Sequence, residues 1–174
     1  MWVTVNGPNI ASFTGPTGGW TNFYGPERTT FETYGYLIRR GAGAPGYGVS
    51  WGSTTNAEML ITCWRGCKTS GNPYNVIQGE AVTTLNPANP NAPSVTTTVA
   101  NCTIIALGCS DDLFITWTMP SGYTERENGD GGNTGYLMCG SLELASATTE
   151  NPAAFGGGDS SGETWAVTVA LEPA

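Results

Sequence analysis

The sequence predicts an all-β fold, an antiparallel β-sandwich of about ten short strands. Three observations predict it. Gly (25 residues) and Pro (11) together make about a fifth of the 174-residue chain, too much punctuation for long helices. Apolar residues come in short runs, many alternating with polar ones, and turn signals separate them roughly every 8–12 residues. Only 11% of residues are charged, and Thr, Ser, Asn and Gly carry the polar surface instead.

The elements follow in order. "MWVTV" alternates and opens the chain as a strand, and "NGPN" and "TGPTGG" are turns. "WTNFYG" is a short aromatic strand. In "TTFETYGYLIRR", Phe31, Thr33 and Gly35 alternate with Glu32, Tyr34 and Tyr36 at period two. "GAGAPGYG" is a loop. "AEMLITCWRG" reads as a strand rather than a helix, because Thr, Cys and Trp fill it and Gly stops it. Residues 84–93, "TLNPANPNAP", form an extended crossing too rich in Pro for regular structure. "SVTTTVANCTIIALGC" is two strands, or one bent strand broken near Asn101. "DDLFITWTM", "NTGYLMCGSLELASATT" and "ETWAVTVALEP" complete the set.

One phrase occurs twice. "PTGGWTNFYGPERTTFETYGYLI" starts at Pro16 and "PSGYTERENGDGGNTGYL" at Pro120. Each runs Pro, a small residue, one or two Gly, an aromatic and Thr, then later Gly-Tyr-Leu. The wider pattern spans 16–66 and 120–173. A half of that size with open edges would be marginal alone, so two matching halves of one domain over 1–174 are expected.

The charge balance narrows the partners. Net charge is −8, from 14 acidic and 6 basic residues. Phosphate backbones and anionic headgroups would be repelled, so neither nucleic acid nor membrane is expected as a partner. "MWVTVNGPNIASFTG" has no basic start followed by an apolar run, so synthesis in a host cytoplasm without a signal peptide is expected. The five cysteines are then expected as thiols, and Asn101-Cys102-Thr103 as a sequon without meaning.

Chemistry-bearing patterns are sparse. There is no histidine, which removes the commonest general base and metal ligand. Cys63-x3-Cys67 and Cys102-x6-Cys109 lack zinc-knuckle spacing. "NGDGGN" fails the calcium-loop pattern, because the sixth residue from Asn128 is Asn133 and the twelfth is Cys139. It is expected as a solvent loop. Glu125 and Glu127 would share a face of a strand, but nothing separates their acidities as a glycosidase pair requires. Neither catalytic, cofactor nor metal residues are expected, and the chain is read as no enzyme. Aromatics remain: Trp20, Tyr24, Trp51, Trp64, Trp117, Tyr123 and Trp165 could form a glycan-stacking face, although alternation turns Trp117 and Trp165 inward.

Several phrases taken in order resemble a family. "GWTNFYG", "YGYLIRRGAG", "AEMLITCWRGCKTSGNP", "NAPSVTTTVANCTIIALGC", "WTMPSGYTEREN" and the closing "WAVTVALEP" are similar to a pattern in structural proteins of tailed bacteriophages. The resemblance spans most of 16–173 and departs at the start, where the fuller pattern has an additional strand pair. It implies a jelly-roll-like sandwich in virion parts: head decoration (cement) proteins and related appendage modules. The expected role is a capsid decoration protein on the capsid surface of the virion, contacting the major capsid protein and copies of itself as a homotrimer. The alternative is a carbohydrate- or receptor-binding module of a tail fibre or appendage. Candidate contact residues are Trp2, Val3 and Val5 in the N-terminal strand, with Trp20 and Trp51. Deleting residues 1–9 should then weaken capsid binding and leave the domain folded.

Overall fold

A computed structural model describes residues 2–6, 14–16, 19–25, 31–37, 48–50, 56–82, 89–110, 116–130, 135–157 and 162–174. Among them there is no helix, and the fold is all-β and antiparallel. They group into two compact units, Met1–Ile61 and Thr62–Ala174, where the sequence suggested one domain.

The first unit holds one four-stranded sheet. Its strands are β1 (Trp2–Asn6), β2 (Thr21–Tyr24), β3 (Phe31–Leu37) and β4 (Asn56–Leu60), in the order β2-β3-β1-β4. Trp2 lies opposite Gly35 on one side and Leu60 on the other. Of "AEMLITCWRG", only the part to Leu60 is strand.

The second unit holds a five-stranded sheet. β5 (Tyr74–Val82), β7 (Thr103–Ser110), β9 (Thr124–Asp130), β10 (Tyr136–Glu143) and β13 (Thr164–Leu171) lie in the order β5-β13-β7-β10-β9. Two small ribbons accompany it. β6 (Val95–Thr96) pairs with β11 (Thr149–Glu150), and β8 (Trp117–Thr118) pairs with β12 (Gly156–Gly157). Asn101, at φ 58°, breaks the chain between β6 and β7 as its sequence suggested. Asn tolerates that left-handed turn better than most residues. "NGDGGN" is not all loop: Asn128–Asp130 end β9, and 131–134 lie outside the described residues.

The three middle strands are buried almost end to end, which is why their sequences are mostly apolar on both faces. One face presents Ile104, Ala106, Tyr136, Met138, Ala166 and Ala170. The segments carrying Ala92, Val95, Cys102, Trp117, Tyr123 and Phe155 cover it. Trp117 meets Tyr136 edge-on at 5.1 Å and Phe155 at 5.9 Å. Glycines make room for this layer. The Phe155 ring lies so close to Gly108 that a Cβ there would stand 3.1 Å from it, and Met119 fills the space over Gly140. On the other face Leu107, Cys109, Leu137, Cys139, Trp165 and Val167 are also buried.

The two sheets share a topology. In each, the strand after the Pro-x-Gly-aromatic-Thr phrase forms an edge, and the next strand in that series lies beside it. The strand before the phrase lies third, and the last one fourth. Thus β2-β3-β1-β4 matches β9-β10-β7-β13. A bulge falls at the same place in both. Thr21 and Asn22 pair with Leu37 and Tyr36, and the register then skips Phe23. Thr124 and Glu125 pair with Ser141 and Gly140, and the register then skips Arg126. β5 has no counterpart in the first sheet.

Candidate interaction surface

Lys68, Arg126, Glu143, Glu150 and Glu172 of the second unit are engaged with their own chain. The C-terminal residues form a clasp. Lys68 N–H donates to the Glu172 carbonyl (2.9 Å), Glu172 N–H to Pro73 (2.7 Å) and Ala174 N–H to Gly66 (2.7 Å). The Lys68 ammonium pairs with the Glu172 carboxylate. Asn75 Nδ2 donates to the other carboxylate oxygen (3.0 Å) and to Thr98 Oγ1 (2.8 Å), and Asn75 Oδ1 accepts from Thr98 N–H (2.8 Å). Donation from Lys68 and Asn75 holds the Glu172 carboxyl below its ordinary 4.5.

Three further ties follow the same logic. Tyr123 O–H donates to Glu150 (3.3 Å), and burial, with the Glu150 charge adding to it, pushes the phenol up. Thr103 Oγ1 donates to Glu143 (2.8 Å). Arg126 Nε donates to Ser141 Oγ (2.8 Å), and its guanidinium lies 5.8 Å from the centre of the Trp64 ring.

Of the expected contact residues, Trp2, Val3, Val5 and Trp20 lie among the described residues. Trp2, Val3 and Val5 lie in β1, the strand paired on both sides within the first sheet. Removing residues 1–9 would take out that strand and separate β3 from β4. The expectation that this segment is dispensable for folding therefore fails. Trp20 precedes β2, is half-buried, and is separated from β1 by β3 in the sheet order. Trp51 lies outside the described residues.

Of the other aromatics considered for a glycan face, Tyr24, Trp117, Tyr123 and Trp165 are buried, and Trp64 is half-buried. Glu125 and Glu127 are both exposed and flank the bulge at Arg126. Asp111, Asp112 and Asp159 lie outside the described residues. No family model, curated protein or solved structure matches this chain. Among the described residues no group of three or more Cys, Asp or Glu could hold a metal, and no helix is long and apolar enough to cross a membrane. All five cysteines are free thiols. Cys102, Cys109 and Cys139 are buried, and Cys63 is exposed. Burial pushes the Cys139 thiol up to about 12.

Surfaces open to a partner are best seen at the sheet edges, where backbone donors and acceptors lack a neighbouring strand. The two larger sheets have four such edges among the described strands. β2 has four residues and a bulge, and β4 has five residues. β9 carries Glu125, Arg126, Glu127 and Asp130, with a bulge at Arg126. β5 has nine residues, and Glu80 is its one charged residue. Its register with β13 is unbroken from Val76 to Val82, and Gln78 and Gly79 are exposed. No clear sequence pattern marks β5. "YNVIQGEAV" does not alternate cleanly, and Gly79 interrupts it. Its β-branched Val76, Ile77 and Val82 were the available signal.

Proposed function

We propose that the chain is a non-enzymatic structural protein of a tailed-phage virion, a decoration protein that binds the outer face of the assembled head. The fold of this reading is a jelly-roll-like sandwich. Its mechanism is linkage: a protein that binds the assembled shell and not its free subunits stabilises the shell by mass action. The observation that carries the reading is how the ionisable side chains are used. Lys68, Arg126, Glu143, Glu150 and Glu172 tie strands and segments of one unit together. That pattern suits a binding and stabilising module better than a catalytic one. The resemblance of the ordered phrases to those of phage structural proteins, and an acidic chain without histidine, point the same way.

The test is the copy number in purified particles, by quantitative mass spectrometry against the major capsid protein. A number comparable with the shell protein is expected. A few copies per particle would overturn decoration in favour of a tail appendage, and absence from particles would overturn the virion role itself.

A further inference from the structure

The four sheet edges are not treated alike. Native proteins protect edges by keeping them short, by bulging them, or by placing charge on them. β2 and β4 are short, and β9 is both charged and bulged. β5 is long and nearly uncharged, and after a bulge at Asn75 it is regular from Val76 to Val82. It is also the strand that one sheet has and the other lacks. Such an edge is a template for one more antiparallel strand, held by main-chain hydrogen bonds.

Charge and length select the occupant, and β2 of a second copy, though uncharged, has only four residues and a bulge. β9 of a second copy brings three carboxylates against one guanidinium and would meet Glu80 with like charge. β4 brings Glu58, also acidic, on a strand of five residues. A second β5 brings Glu80 alone. If two β5 strands pair antiparallel about Gln78, each Glu80 lies opposite Val76 of the other copy. The two Glu80 residues are then four positions apart along the pair. At about 3.3 Å per residue that is about 13 Å, beyond the screening length of about 8 Å at physiological salt.

We infer that β5 is a self-association edge, through which two copies of this chain pair across a two-fold axis and continue their five-stranded sheets into one. The pairing is isologous, so it closes at a dimer. It differs from the trimer expected from the phage resemblance, and it does not depend on the capsid reading.

The experiment uses the full chain, with mass measured by sedimentation equilibrium at concentrations up to about 100 μM. The wild type is expected to be a dimer. Gln78→Lys places two ammonium groups opposite one another at the axis, and Gln78→Glu two carboxylates. Each variant is expected to be monomeric, with the circular dichroism of the wild type, because Gln78 is exposed in the single chain. Mixing the two variants is expected to restore the dimer through opposite charges. A monomeric wild type would overturn the inference. So would a dimer or higher oligomer that both variants preserve, or a Lys/Glu mixture that stays monomeric.

Discussion

Gly108 and Phe155 form the contact on which the second unit's packing can be tested most sharply. A Cβ on Gly108 would meet three atoms of the Phe155 ring at 3.1, 3.2 and 3.3 Å. The ring is almost fully buried and lies against Trp117, so it has little room to retreat. Replacing Gly by Ala in a strand interior normally gains about 0.5–1 kcal/mol. Overpacking a tight core normally costs about 1–3 kcal/mol. The second effect wins here, and Gly108→Ala is expected to destabilise by about 1–2 kcal/mol.

Phe155→Leu alone removes part of the ring and is expected to cost about 1–2 kcal/mol. The double variant is the decisive one. Leu vacates the space that the new methyl needs, so the two changes should cost at least about 1 kcal/mol less than their sum. Urea unfolding followed by tryptophan fluorescence measures all three, provided the m-values agree. Additivity within about 0.5 kcal/mol would refute the contact, as would a Gly108→Ala variant as stable as the wild type.

Further outcomes follow from other parts of the fold. Deleting residues 1–6 should abolish amide-exchange protection in β3 and β4, because β1 joins them; retained protection would show that the sheet does not need it. A thiol reagent at neutral pH should modify Cys63 quickly in the native protein. Cys102, Cys109 and Cys139 should react only in denaturant, counted by mass spectrometry. Glu172 should titrate below 4.5 by NMR and move back up in Lys68→Met. Its folded value is the lower one, so its contribution to stability is present above the ordinary value and is lost as pH falls through the folded value. Glu172→Gln should therefore flatten the acid limb of the stability profile.

Strands that fill a buried sheet announced themselves in the sequence. "TIIALGC", "YLMCGSLE" and "WAVTVAL" are mostly apolar because β7, β10 and β13 are buried over most of their length. Trp117 and Trp165 point inward as their alternation indicated. Edge strands were harder to see. β9 reads "TERENGD", exposed from Thr124 to Asn128, so hydrophobic patterning has nothing to act on. β5 lacks a clean period for a related reason, since Tyr74–Ile77 are only half-buried and Gln78 and Gly79 are exposed. The clasp of Lys68 and Asn75 on Glu172 was not legible either. Its members are 97 and 104 residues apart, and each looks like an ordinary surface residue on its own.

The repeated phrase was the most informative signal, though not through all of its parts. Thr21 and Thr124 sit at equivalent places, each opening an edge strand two residues before the bulge. Gly-Tyr-Leu does not. Thr21 pairs with Leu37 of the first copy, whereas Thr124 pairs with Ser141, four residues beyond Leu137. A shift of four is even, and an even shift keeps every side chain on the same face of a strand. The phrase could therefore slide along its strand without turning apolar residues outward. The pairing itself keeps step across the chain. From Gly35 the register leads to Trp2 and on to Leu60, and from Cys139 it leads to Leu107 and on to Val167. Trp2 to Leu107 is 105 residues, Gly35 to Cys139 is 104, and Leu60 to Val167 is 107. A near-constant offset across three strands is what a topological repeat requires, and chance likeness of a turn phrase would not produce it. The repeated unit thus includes β1 and β7, which precede the phrases, and the one strand of the larger sheets added outside it is β5.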